Sequence, residues 1–310
     1  MARLFRFGGG LFSAATAAEW TDGARRLEAA GYDILFTGDH FSPNFLAPVP
    51  ALLAAAWATT RLRVTCTVFD NDFRHPAALA KEIATADMLS GGRFEFGIGA
   101  GWNKLSYERA GVPFDSPGVR VARLEEAVRI IKGLWEDGPL TFVGNHYVIT
   151  DYDGQPKPLQ RPHPPIFIGG GGKRLLSFAA READIVGIVP RAKPAGDGLD
   201  RAEETDACVA KKVSWLREAA AHRFDRLELA LLISAVVVTD DRQAAAGRIA
   251  AQTSRTVDEV LASPGVMIGS VEAIVDKLLE QRERHGFSYV SVFPRDTDTF
   301  APVVARLAGK

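Results

Sequence analysis

Cysteine is nearly absent from this chain: Cys66 and Cys208 are the only two in 310 residues. Two distant thiols supply neither a disulfide framework nor the closely spaced pairs of a metal site. They suit a reducing, cytoplasmic setting. An excess of one charge is also missing. The 37 Lys and Arg balance 38 Asp and Glu, for a formal net charge of −1. The polybasic signature of a nucleic-acid or membrane-surface binder is therefore lacking. No apolar run approaches the ~20 residues of a membrane span. The first residues, MARLFRFGGGLFSAATAAEW, have no continuous apolar core of the secretory kind. Low-complexity segments and short repeats are missing too. What remains is a chain that is 47% hydrophobic, enough for a large core. α/β barrels often reach this length as one unit, and a single domain over 1–310 is expected.

What is present is a regular alternation of strand and helix signals. Phe5 to Phe12 reads as the first strand, and Ala17 to Ala30 as a helix ended by Gly31. Asp33 to Thr37 is the second strand, followed by a helix over Pro50 to Thr60. The β-branched run Val64 to Phe69 is the third strand. Pro76 opens the next helix, over Ala77 to Met88. Phe94 to Phe96 is the fourth strand, Val119 to Trp135 an amphipathic helix, and Leu140 to Ile149 a small hairpin outside the main rhythm. Further strands are expected at Pro165 to Ile168, Asp184 to Val189, Leu227 to Thr239 and Tyr289 to Phe293. Helices are expected over Lys173 to Arg181, Ala202 to Ala221, Asp240 to Leu261, Val271 to His285 and Thr299 to Leu307. Pro190 to Leu199 reads as a loop rich in Pro, Gly and charge. Eight β-then-α units in a row predict a closed (β/α)8 TIM-like barrel with insertion segments.

In such a barrel the carboxyl ends of the strands form the reactive face. Asp39-His40 follows the second strand directly. A histidine there can exchange protons near neutral pH, or simply hydrogen-bond within its loop. Gly97-Ile98-Gly99-Ala100-Gly101 has the wrong spacing for a dinucleotide fingerprint and no helix opening at once. Its glycines suit either close backbone approach to a flat cofactor or a tight turn. Gly169-Gly170-Gly171-Gly172-Lys173-Arg174 is no Walker A sequence. Bare amides at a helix start beside two cations nevertheless suit an anion such as a cofactor phosphate. A flexible turn is the alternative, but four consecutive glycines cost backbone entropy, which favours the anion site. Arg120 and Arg123 begin a helix where the dipole disfavours cations, which points to an ionic partner, protein or ligand. Trp102, Phe12, Phe45 and Phe69 can wall an aromatic pocket or simply pack.

Taken together, Gly38-Asp39-His40, Arg74-His75-Pro76, Asp87 to Arg93, Gly97 to Trp102, Gly111-Val112-Pro113-Phe114 and Pro165 to Gly172 resemble the luciferase-like monooxygenase superfamily. They are most similar to its branch dependent on the deazaflavin coenzyme F420. The resemblance implies a barrel, often dimeric, with the deazaflavin ring in its mouth, or FMN in the alternative branch. It implies Asp39 and His40 beside the ring and a non-prolyl cis bond at Cys66-Thr67 against it. Backbone contacts from Gly99, Ala100 and Gly101 are implied too, with the phosphate held by Gly170 to Gly172 and Lys173; Trp102 and Gly169 are expected among the cofactor-binding residues, Trp102 shaping an apolar pocket. One departure stands out. The sugar-phosphate dehydrogenases of this branch carry an acid after the glycine loop and a tryptophan after the Asp-His pair. Here Trp102 and Asn44 stand at those places. The expectation is therefore a homodimeric, cytoplasmic F420-dependent reductase of a small organic molecule, with His40 exchanging the proton and Asp39 orienting it. An FMN-dependent monooxygenase served by a partner reductase is the alternative.

Overall fold

Short apolar strands alternate with helices along the computed structural model, which describes residues 3–253 and 255–310. The strands are β1 (Arg6–Gly10), β2 (Ile34–Thr37), β3 (Arg63–Cys66), β4 (Phe69–Asp70), β5 (Phe94–Gly99), β6 (Leu140–Val143), β7 (Val148–Tyr152), β8 (Ile166–Gly170), β9 (Ile185–Ile188), β10 (Glu228–Ile233), β11 (Ala235–Val238), β12 (Val266–Gly269) and β13 (Phe287–Val292). The helices are α1 (Ala17–Ala29), α2 (Pro48–Ala58), α3 (Pro76–Leu89), α4 (Lys104–Ala110), α5 (Pro117–Trp135), α6 (Lys173–Glu182), α7 (Asp206–Ala220), α8 (Arg242–Thr253), α9 (Val257–Ala262), α10 (Val271–His285) and α11 (Thr297–Leu307). Local chemistry sets many of the boundaries. Thr16 and Ser270 cap α1 and α10 through their hydroxyls, and Pro76 starts α3 behind the His75 cap. Gly286 ends α10 in the left-handed region.

Parallel pairing runs β3-β2-β1-β13-β10-β9-β8-β5-β4, and β3 also pairs with β5 to close the ring. Because β3 and β4 are two parts of one strand, the result is a closed eight-stranded parallel barrel. The antiparallel hairpin of β6 and β7 lies outside it, as expected. Side chains alternate along each barrel strand. One set, including Phe7, Leu35, Val64, Phe96 and Ile168, packs outward against the helices. The other set, Ile34, Phe167, Ile185, Ala230 and Tyr289, fills the lumen with Val68.

Several boundaries differ from the expectation. The third strand breaks after Cys66 and resumes at Phe69. Cys66 belongs to the outward set and is buried against the helix shell, where burial pushes its thiol well up. The cis bond is at Thr67-Val68, one residue beyond Cys66-Thr67. Cys66 is still in register with Thr37, and the Thr67 amide still donates to the Thr37 carbonyl at 2.9 Å. The chain leaves β-pairing only after that bond. The seventh strand also breaks. β10 stays in the barrel, whereas β11 leaves it to pair with β12, which sequence patterning missed. The helix expected over Asp240 to Leu261 is divided into α8 and α9, and Ser254 between them lies outside the described residues. The short helix α4 was also unforeseen.

Candidate active site

Small inward residues leave room in the upper lumen. Gly169, Gly187 and Ala230 line it, and the Phe167 ring occupies the place that a side chain on Gly187 would need. A cavity of about 290 Å³ results at the carboxyl ends of the strands. Phe12, Phe36, Phe45, Trp102, Phe167 and Phe293 supply much of its apolar wall. Phe12 stacks on Phe45 with ring centroids 4.8 Å apart. Thr37, Asp39, His40, Asp70 and Ser291 give the cavity a polar edge.

Each polar group is in a distinct electrostatic state. Asp39 accepts from the Arg74 guanidinium at 2.5 and 3.3 Å, and from the Asp70 amide at 3.1 Å. Burial works against the Arg74 charge, but its bond to Asp39 wins and raises its proton affinity. His40 is held edge-on to Phe45 and Trp102, with centroids 5.0 and 5.8 Å away. Burial holds its imidazole below the ordinary histidine range, with the nearby Asp39 charge pulling the other way. The ring is therefore neutral at pH 7. Asp70 is the reverse case: burial pushes its carboxyl up to about 7, against donated bonds from Tyr107 and the Asp72 amide.

Two arginines at the start of α5 hold this edge together; the ionic partner that their placement implied is found for Arg123, whereas Arg120 meets backbone carbonyls. Arg120 is buried and donates to the Ala100 and Gly101 carbonyls at 3.1 and 3.4 Å. Its guanidinium lies 3.9 Å from the centre of the Phe114 ring. Arg123 pairs with Asp72 at 2.9 Å and with Asp115. The glycine loop is likewise explained from within the protein. A Cβ on Gly97 would stand 2.1 Å from the Cys66 carbonyl oxygen, and one on Gly99 2.5 Å from Val68 Cγ2. These glycines make room for the chain that crosses between β3 and β4. Gly101 has φ +72°, and a Cβ there would meet the Tyr107 hydroxyl at 1.9 Å.

Of the residues singled out in the sequence, Asp39, His40, Thr67, Gly101, Trp102 and Gly169 line the cavity. Cys66, Gly99, Ala100, Gly170, Gly171, Gly172 and Lys173 are not among its lining residues. Gly172 stands at the N-cap of α6 and, having no side chain, leaves the first turn of that helix without a side-chain cap. The neighbouring cations are engaged elsewhere: Lys173 meets Glu218 at 3.4 Å and Arg174 meets Glu125 at 2.8 Å. Sequence reasoning missed Thr37, Val68, Asp70, Phe167 and Ser291. Strand alternation flags Thr37, Phe167 and Ser291 once inward and outward faces are known. Asp70 has only its place at a strand end to mark it. The Thr37 hydroxyl is buried without a hydrogen-bond partner among the described residues. A flat ring with polar atoms at its rim fits this arrangement: aromatic walls receive the faces, and the spare hydroxyl receives an edge.

A parallel eight-stranded barrel with an aromatic-walled cavity at the carboxyl ends of its strands defines the class as an α/β barrel with its candidate site at that mouth. Comparison with known proteins narrows this further. Residues 1–257 match the model of the luciferase-like monooxygenase family, and the chain belongs to that family. It is 34% identical over 166 residues to an FMNH(2)-dependent dimethylsulfone monooxygenase of Pseudomonas putida, covering 52% of this chain and 46% of the relative. It is 34% identical over 195 residues to an F420-dependent glucose-6-phosphate dehydrogenase of Kineococcus radiotolerans, covering 59% and 54%. The chain thus spans about half the length of the curated relatives it matches. The coenzyme F420-dependent tetrahydromethanopterin reductase from Methanopyrus kandleri shares the fold, with TM-score 0.77, 18% identity and 99% of each chain covered. No helix among the described residues is long and apolar enough to cross a membrane.

Proposed function

We propose that the chain is an F420-dependent oxidoreductase, acting as a reductase on a small organic substrate. The observation that carries this reading is the ring-sized cavity walled by aromatics, with the neutral His40 edge-on at its rim. When bound, the deazaflavin supplies hydride exchange at its C5 carbon. The chain's own groups orient and exclude water. Phe12, Phe45 and Trp102 confine the ring; Asp39, fixed by Arg74, presents a rigid carboxylate edge. Thr67, Gly101 and Gly169 contribute to the cavity wall, and the loop from Gly170 to Gly172 with Lys173 at the start of α6 holds the phosphate. Cys66, Gly99 and Ala100 serve indirectly by shaping the strand crossing and the loop. His40 exchanges a proton with the substrate through a neutral imidazole. The proposal includes a homodimeric, cytoplasmic enzyme; exposed Trp57, Met88 and Leu89 on α2 and α3 are apolar surface suited to a second copy.

The second reading is an FMN-dependent monooxygenase using a partner flavin reductase. It is favoured by the identity to the dimethylsulfone monooxygenase. Titration of the protein with oxidised F420 and with FMN in one buffer tests the pair. Tighter binding of F420 is the expected result. Preference for FMN replaces the first reading with the second, and binding of neither removes both.

A further inference from the structure

Asp39 and Asp70 both line the cavity, and their partners divide them. Asp39 is committed: both of its oxygens face Arg74, and Oδ2 also takes the Asp70 amide. Asp70 is only half committed. Its Oδ1 accepts from the Tyr107 hydroxyl at 2.7 Å and from the Asp72 amide at 3.0 Å. Its Oδ2 has no hydrogen-bond partner among the described residues. Nor does a cation meet it. Arg74 is bonded to Asp39, and Arg123 to Asp72 and Asp115. A buried carboxyl without a cation holds its proton more readily than a paired one.

We propose that Asp70 is the proton-holding group of this cavity, presenting a proton on Oδ2 to a substrate reduced there. The inference deepens the reductase reading and rests on it. The substrate carbon gains two electrons with the hydride from C5 of the reduced deazaflavin, which is oxidised. The adjoining atom of the substrate double bond gains the Oδ2 proton. The carboxylate left on Asp70 takes a proton from water before the next cycle. The site thereby recovers an acid although Trp102 occupies the position after the glycine loop. The groups facing Asp70 are Tyr107 from α4, Asp72 and its own Arg123, and Asp39 with Arg74. With burial the leading cause, the carboxyl stands at about 7, so a large share is protonated at neutral pH and the share falls as pH rises. His40 is shifted the opposite way: its ring is placed to accept a proton, and Asp70 to give the one that the reduced substrate gains.

Carboxyl-carbon NMR of protein labelled at aspartate tests this in the wild type, Asp70→Asn and Tyr107→Phe, with and without oxidised F420. In the wild type, one resonance is expected to titrate near pH 7 and to be missing from Asp70→Asn. Tyr107→Phe raises its midpoint, because the phenol favours the carboxylate. Bound F420 moves the midpoint by roughly half a pH unit or more, through exclusion of water from the cavity. A midpoint near the ordinary value of about 4 overturns the inference. So does a midpoint near 7 that bound F420 leaves unmoved. In either case the cofactor reading stands. Binding of FMN alone, or of neither cofactor, overturns the reductase reading and this inference with it.

Discussion

The two ends of the barrel lumen are both polar, yet they treat their polar groups in opposite ways. At the floor, Arg6 meets Glu95 at 2.6 Å and Glu228 at 2.6 Å, while Arg63 meets Glu95 at 2.6 Å and Gln160 at 2.8 Å. Burial disfavours the Glu95 charge, but Arg6 and Arg63 outweigh it and hold the carboxyl below its usual range. Each charge there is answered within the chain. At the mouth, among the described residues, the Thr37 hydroxyl has no partner and Asp70 has an idle oxygen. Floor polarity serves the fold, and mouth polarity is left over for a ligand. Barrels of this type place stability and chemistry at opposite ends in the same way.

The comparison breaks most sharply at Glu95. Glu95→Ala leaves two arginines facing each other without their shared carboxylate, and stability should fall by about 3–5 kcal/mol. Chemical denaturation measures the loss; cofactor affinity of the folded fraction should stay unchanged. Reduced affinity at full stability would erase the distinction between the two ends. Thr37→Val works in the other direction. The apolar isostere removes an unpaired buried hydroxyl, so the ligand-free protein should be neutral or more stable by about 1 kcal/mol. Cofactor binding, followed by titration, should weaken by about tenfold if the hydroxyl meets the ring edge. Lys173→Ala has the smallest effect on stability. Its exposed pair with Glu218 contributes less than about 1 kcal/mol. A several-fold loss of F420 affinity at unchanged stability would show that Lys173 turns from Glu218 to the phosphate; unchanged affinity would leave the α6 amides to hold it alone.

Much of this was legible in the sequence, and the misses share a cause. The eight β-then-α units, the hairpin at Leu140 to Ile149 and the loop positions of Asp39-His40 and Trp102 all follow from local periodicity and turn residues. Arg120 and Arg123 were recognisable as misplaced cations, but their partners, the Ala100 carbonyl and Asp72, lie far from the start of α5 in sequence or on another element. The glycines of the loop after β5 were noticed and assigned to a cofactor. Within the chain, Gly97 and Gly99 clear a path for residues 66–68, a contact about 30 residues away along the chain. Asp70 was overlooked because nothing local distinguishes it from the neighbouring Asp72.

The barrel follows from local sequence, because strand alternation, helix starts and helix stops are short-range effects of side-chain shape and backbone freedom. It also determined which loops reach the reactive face. Only the tertiary structure decided the state of each group there. Asp39 and Asp70 are the same residue type, yet one is paired with Arg74 and the other is buried beside Tyr107. Proton affinity depends on desolvation and on charges brought close in space. Those distances are set by packing between β3, β4, α4 and α5, and no local pattern encodes them.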